Sequence, residues 1–322
     1  MKIVIPGGTG HLGRILTSAF RRRGDDVVVL SRNVEAPARR WDGRTLGDWA
    51  EEVDGADLVI NLAGRSVDCR YGPREREEIL RSRVDSTRVV GEAIARAKRP
   101  PALWLQASSA TIYSHRYDAP NDEYLGVFGG DEPNAPEEWN FSIEVAKAWE
   151  RAVDEANTPC TRRVKLRTAM VMSAERGGAF HALLRQVRLG VGRYGDGRQY
   201  MSWIHERDFV RAVGWLVEND LEGGVNLASP HPIPNDEFMR ELREVWGSHV
   251  ALRVSGMVLD AGAMLARTET ELVLKSRRVV PARLLQHGFT FDYPQWHDAA
   301  RELCARWKGG VPTCDVQSAP LW

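Results

Sequence analysis

An α/β protein built on a doubly wound parallel sheet is what this sequence predicts, and three observations carry the prediction. The first is the stretch Met1-Lys-Ile-Val-Ile-Pro-Gly-Gly-Thr-Gly-His-Leu-Gly13. It joins a β-branched run to a glycine turn and then to Leu12, Ile15, Leu16, Ala19 and Phe20 at helical spacing. The second is the alternation of strand and helix patterns through the first half of the chain. The third is a change of texture after about residue 175, where the elements become short and glycine-broken. Together they predict a Rossmann-type dinucleotide-binding domain over residues 1–175, with one strand and helix returning from about 200–230. A smaller α+β substrate domain follows over 176–308, and a tail over 309–322.

Taken in order, Lys2 to Ile5 is the first strand. In the turn after it, Gly7 and Gly8 allow a tight bend, Gly10 lets a pyrophosphate approach the backbone, and Gly13 lets helix and strand pack closely. The helix N-terminus presents free N–H groups and a positive dipole end to the phosphates. Asp25 to Leu30 reads as the second strand. A site for the unphosphorylated dinucleotide should carry Asp or Glu at its end, to hold the ribose 2′-hydroxyl. Here the end is Ser31-Arg32-Asn33, whose hydroxyl and guanidinium suit a 2′-phosphate. NADP(H) is therefore expected in preference to NAD(H).

Leu46, Trp49, Ala50 and Val53 outline a helix, and Ala56 to Asn61 is a third strand that ends in Leu62-Ala63-Gly64. Pro73 to Lys98 is a long helix stopped by Pro100-Pro101. Ala102 to Gln106 is a strand opening into Ala107-Ser-Ser-Ala-Thr-Ile-Tyr113. Residues 115–140 are polar and read as a lid-like loop. Phe141 to Ala156 is helical, and Val164 to Arg167 begins the next strand. A helix over Phe180–Leu189 leads into a glycine-broken loop over 190–208, then a helix to Glu218 and a strand over Gly224–Ala228. Three prolines precede a helix capped by Asn235 or Asp236. The last third holds short elements at Leu272–Val280 and Phe289–Tyr293, and a final helix over Gln295–Lys308.

Composition narrows the function classes. The 322 residues carry 44 basic and 44 acidic side chains. That balance gives no footprint for nucleic acid or an anionic membrane, and no apolar stretch is long enough to span a bilayer. The N-terminus enters the first strand directly, so no signal peptide is expected. Cys69, Cys160, Cys304 and Cys314 are scattered without metal-ligand spacing, and no metal is expected. A reduced, cytoplasmic monomer or homodimer acting on a small molecule fits these features.

The segments Gly7-Gly-Thr-Gly-His-Leu-Gly13, Asn61-Leu-Ala-Gly64, Ser82-Arg83, Ser108-Ser-Ala-Thr-Ile-Tyr113 and Trp149-Glu150 form a longer pattern. Arg167-Thr168, Gly195-Asp-Gly-Arg-Gln199, Ser202-Trp-Ile-His205 with Asp208, and Val280-Pro281 before Gly288-Phe289 continue it. In this order they resemble the extended short-chain dehydrogenase/reductase superfamily. Within it the chain is similar to the atypical "epimerase family", which carries a C-terminal domain of unknown function. The resemblance implies that Gly7, Thr9, Gly10, His11, Leu12 and Gly13 hold the pyrophosphate and that Ser31 and Arg32 meet the adenosine phosphate. It implies that Leu62, Ala63 and Gly64 line the adenine side, and Arg167 joins the cofactor set. Ser109 is the serine that binds the reacting oxygen in related enzymes.

Those enzymes also use a Tyr-x-x-x-Lys pair on the next helix, in which the lysine lowers the tyrosine's pKa. This chain departs from the pattern. Lys147 has Ile143 four residues earlier, and alignment on Trp149-Glu150 puts Ser142 and Ala146 at the two positions. The expected replacement is a catalytic Ser109–Tyr113 pair assisted by Lys147. Gln199, Trp203 and His205 are candidates for a substrate pocket, although Trp203 suits a core and His205 a helix cap equally well. His115 and Tyr117 fall in the expected lid. Two functions remain open: an NADP(H)-dependent oxidoreductase or epimerase acting on a small carbonyl or hydroxyl compound, and a non-catalytic NADP(H)-binding regulatory or sensor protein.

Overall fold

A computed structural model describes residues 1–33, 38–132, 135–254 and 271–309. The expected tail lies almost wholly outside them. Seven parallel strands form the main sheet: β1 (Lys2–Pro6), β2 (Asp26–Ser31), β3 (Arg39–Arg40), β4 (Leu58–Asn61), β5 (Leu103–Ser109), β6 (Arg162–Thr168) and β11 (Gly223–Leu227). Their spatial order is β11-β6-β5-β4-β1-β2-β3. The chain runs outward from β1 in one direction and returns from β4 in the other. The carboxyl ends of β1 and β4 therefore flank the switch point where α/β sheets bind ligands.

Helices cover both faces. α1 (His11–Arg22) packs Leu16, Ala19 and Phe20 into a core with Ile3, Ile5, Leu105 and Val164. α5 (Glu206–Glu218) adds Phe209 and Val213 to that same core. The other face holds α2 (Pro73–Arg96), whose Val89, Val90 and Ile94 meet Val4, Val59 and Trp104. α3 (Asn140–Asp154) lies beside α2. Among the described residues no helix is long and apolar enough to cross a membrane.

The C-terminal region has its own core. Phe180 and Leu184 of α4 (Ala179–Arg188) meet Phe238 and Leu242 of α6 (Asn235–Trp246), and Trp296 and Leu303 of the helix Trp296–Gly309. Here the structure differs from the sequence reading. The glycine-broken stretch 190–208 contains three strands, β8 (Val191–Tyr194), β9 (Tyr200–Met201) and β10 (Trp203–His205). They pair with β13 (Leu252–Val254), β12 (Ile233–Pro234) and β7 (Met170–Met172), partners too distant in sequence for local patterning to reveal. The expected helix around Trp49 is a single 3₁₀ turn, Asp48–Glu52. Asn235 opens α6 rather than capping it, because its side-chain oxygen accepts from the Tyr194 N–H. Phe289–Tyr293 is irregular, held by the Asp208 carboxylate, which accepts from the N–H groups of Asp292 (2.7 Å) and Tyr293 (2.9 Å).

The stretch after β5 is not a free lid. Asn121 donates its N–H to Arg278 O and accepts from Val280 N–H, while Ser114 and Gly129 are tied back to Val127 and Ile112. The C-terminal segment around residues 275–283 is thereby stitched to the loop that follows the central strand β5.

Candidate cofactor and catalytic site

The phosphate end is built locally. Gly7 has φ +79°, and a Cβ there would lie 2.8 Å from the Ala63 nitrogen, so the turn after β1 runs directly against the end of β4. Gly13 backs onto Gly8, where an added Cβ would lie 2.5 Å from the Gly8 Cα. Gly10 is different: it is exposed, and a Cβ would meet only Gly7 O, at 3.3 Å. α1 begins there with no side-chain cap and no acidic residue in its first turn. Its first N–H groups and positive dipole end lie beside the exposed Gly10, with the Glu175 carboxylate on the side chains of His11 and Arg14, and such a helix end fits a pyrophosphate. Thr9 is exposed beside Gly10, and Leu12 turns inward to the core under α1. His11 lies 3.1 Å from the Glu175 carboxylate. Burial pulls its pKa below the ordinary value, with Glu175 offsetting part of the effect.

The adenosine end follows from β2. Ser31 is buried and its hydroxyl lies 3.1 Å from that of Thr9, while Arg32 is exposed. No carboxylate stands at Ser31-Arg32-Asn33. On the β4 side, Leu62 N–H donates to Pro6 O and Ala63 N–H to the Asn61 side chain. Gly64 is exposed beside the Arg83 guanidinium, where a Cβ would approach to 3.2 Å. Arg83 stands 5.0 Å over the Trp149 ring, and burial pushes its pKa down to about 10.

The expected catalytic set does not converge. Ser109 is half-buried at the carboxyl end of β5, and its oxygen accepts from the Thr111 N–H, which leaves its own proton free to be donated. Tyr113 is 2% exposed. Its hydroxyl donates to Asn226 Oδ1 (3.0 Å) and accepts from Arg167 Nη1 (2.9 Å). Burial also raises its pKa. A phenol whose proton is already committed, and held harder than usual, is poorly placed to be an acid, so the geometry argues against the role expected of Tyr113. Lys147 Nζ donates to Gly129 O at 2.6 Å and braces the loop after β5 rather than the phenol.

Arg167, expected in the cofactor set, is held by protein partners. It is buried on β6, makes a two-pronged ion pair with Glu150 on α3 (2.8 Å for each contact), and contacts Tyr113. Burial works against its charge, but the Glu150 contacts outweigh it and raise its pKa. Ser108 adds a 2.7 Å hydrogen bond to the same carboxylate. This network locks β5, β6 and α3 together beneath the site and engages three of the five N–H donors of Arg167.

Gln199, Trp203 and His205 are all buried and held by protein partners. Gln199 is buried and donates to Tyr194 O. Trp203 is wholly buried edge-on to Trp296, at 5.1 Å. His205 caps α5 by accepting from Arg207 N–H, meets Glu302 at 3.0 Å, and lies against the Tyr293 ring. In the loop, His115 packs on Tyr117 and Trp139, and its Nδ1 accepts from Ser276 N–H.

Sequence reasoning missed one group altogether. Lys275 is fully buried, with Nζ 3.2 Å from Thr111 O and 3.7 Å from Glu271 Oε1. The same Glu271 oxygen hydrogen-bonds the Ser142 hydroxyl. The only signal in the sequence is a lone lysine between the apolar runs Leu272-Val-Leu274 and Val279-Val280.

A sheet with this strand order, a bare glycine turn at its switch point and an open helix N-terminus define a dinucleotide-binding α/β protein. The NAD dependent epimerase/dehydratase family model matches residues 3–228, and the chain belongs to that family. A domain of unknown function, DUF1731, matches residues 255–303. The chain is 30% identical to Epimerase family protein YfhF of Bacillus subtilis, over 95% of this chain and 98% of the relative. It is 28% identical to human Epimerase family protein SDR39U1, over 95% and 100%. The crystal structure of human epimerase family protein SDR39U1 (isoform 2) with NADPH superimposes with a TM-score of 0.82 at 27% identity, covering 95% of this chain and 99% of that one.

Proposed function

We propose that the protein binds NADP(H) in preference to NAD(H) and works as an oxidoreductase or epimerase on a small carbonyl or hydroxyl compound. The observation that carries the preference is the end of β2, where a hydroxyl anchored on Thr9 and an exposed guanidinium replace the usual carboxylate. A 2′-phosphate accepts from both groups, whereas a ribose hydroxyl gains little from either. The human relative solved with NADPH supports the same reading.

When bound, the cofactor supplies or accepts a hydride. The chain's own part is to hold the pyrophosphate on the N–H groups of α1 and to orient the reacting oxygen with the Ser109 hydroxyl. Titration of NADPH and NADH into the wild type and Arg32→Ala tests the reading. The wild type should prefer NADPH, and the variant should lose about 1.5–3 kcal/mol of NADPH binding, typical of a charged hydrogen bond, with NADH little changed. Equal wild-type affinities would exclude it.

A second reading is a regulatory or sensor protein that binds NADP(H) without turnover. It rests on the commitment of the Tyr113 hydroxyl to Asn226 and Arg167, together with Ser142 and Ala146 in the Tyr-x-x-x-Lys positions. NADPH oxidation measured against a panel of carbonyl compounds separates the two.

A further inference from the structure

A hydride arriving at a carbonyl carbon leaves an oxygen that needs a proton, and a hydride leaving an alcohol requires one to be taken away. The acid or base must lie within hydrogen-bond reach of that oxygen, directly or through one water. The Tyr113 hydroxyl donates its proton to Asn226, and Lys147 Nζ is drawn to Gly129 O in the loop after β5. The turn that carries Ser109 has another titratable neighbour. Lys275 Nζ reaches Thr111 O at 3.2 Å, and Thr111 N–H is bonded to the Ser109 hydroxyl oxygen.

The placement of Lys275 is specific. It arrives from the C-terminal region, 164 positions after Thr111. It stands at the carboxyl end of β5, in the second mononucleotide half of the sheet, the half opposite the adenosine end on β2. Its neighbour Glu271 bonds Ser142, the residue that alignment on Trp149-Glu150 puts in the position of the missing tyrosine. The charges facing it come from two places: Glu271 and Arg277 on its own segment, and Glu132 and His115 on the loop after β5. Burial, then Arg277, pushes the ammonium pKa down to about 8, with the two carboxylates offsetting part of the shift. An amine in that range gives up and recovers a proton near neutral pH, which an ordinary lysine does not.

We infer that Lys275 is the group that exchanges the proton with the substrate oxygen held by Ser109, in place of the absent helix tyrosine. This rests on the proposed oxidoreductase reading. In the reducing direction the carbonyl carbon gains the hydride's electron pair and the reduced nicotinamide becomes the oxidised ring. The oxygen takes a proton from the Lys275 ammonium, either as the side chain swings from Glu271 or through one water. The neutral amine then regains a proton from solvent.

The test needs no substrate. An ammonium facing the nicotinamide half opposes the positive ring of NADP⁺ but not the neutral ring of NADPH. Dissociation constants for both are measured from pH 6.5 to 9.5 on the full chain, as wild type, Lys275→Met and Lys275→Arg. The two forms share the same phosphates, so those titrations cancel in the ratio. In the wild type, NADP⁺ should tighten relative to NADPH as pH rises toward about 8, by up to about tenfold per pH unit where binding expels the proton, and level off above. Lys275→Met should give a flat ratio at the tight, high-pH level. Lys275→Arg, charged throughout, should give a flat ratio at the weak level. A wild-type ratio that does not change with pH overturns the inference, and so does a slope that survives in Lys275→Met. Should neither form bind the wild type, the cofactor reading falls and this inference with it. Tight binding of both with a flat ratio removes Lys275 alone.

Discussion

The two ends of the site are made in opposite ways. The candidate phosphate end comes from one continuous stretch, Gly7 to Gly13, in which four of seven residues are glycine. The proton end is assembled from β5, α3, the loop after β5 and a segment near residue 275. The first relies on an absence of atoms and the second on buried charges that must be satisfied together. Binding should therefore be lost by adding atoms at one end, while removing atoms at the other should cost stability first.

The largest effect is expected at the buried pair beneath the proton end. Arg167→Ala leaves the Glu150 carboxylate buried with only Ser108 and Lys165 nearby. It should cost about 3–5 kcal/mol of folding stability, read by denaturant unfolding. A cost below about 1 kcal/mol would mean that the network is not what locks β6 to α3.

Next comes Gly10→Val. An added Cβ would lie 3.3 Å from Gly7 O, a tight contact, and meet no other atom within 4 Å, so the thermal midpoint should fall only modestly from that of the wild type. Both dinucleotides should weaken by more than about 100-fold, roughly 2.7 kcal/mol. Unchanged affinity in calorimetry would move the cofactor away from the glycine turn and erase the contrast between the two ends.

Tyr113→Phe is the smallest change and sharpens the comparison most. It strips a hydrogen-bond partner from Asn226 and from Arg167, so stability should fall by about 1–3 kcal/mol. Turnover of any substrate that is found should escape the roughly 10²–10⁴-fold loss that follows removal of a positioned acid. A loss of that size would return the acid role to Tyr113 and take it from Lys275.

The same contrast explains what the sequence made legible. The strand order and the glycine turn could be read because strand, turn and helix follow one another within about twenty residues, and each glycine's neighbours are local. Resemblance puts Arg167 with the cofactor, and its place at a strand end gives no sign of Glu150, which sits on another element. Gln199, Trp203 and His205 looked like a recognition surface because the glycines around them suggested a loop. Trp203 and His205 lie on β10, which pairs with β7, and Gln199 lies between β8 and β9, which pair with β13 and β12; no local periodicity reports these pairings. Lys275 carries no motif at all, and its meaning depends on Thr111, Glu132 and Glu271 lying beside it.

The stitching of the loop after β5 to residues 275–283 also sets an order in time. Thr111 and Lys275 are 164 positions apart. At a synthesis rate of about 5–20 residues per second, Lys275 leaves the ribosome roughly 8–33 s after Thr111. Within that interval β6 and α5, which complete the core under α1, also emerge, so the glycine turn and its strands can fold while the backbone groups of Asn121 still wait for Arg278 and Val280. A nascent chain would thus pass through a stage in which the glycine turn is formed and the segment proposed to move the proton is not yet in place.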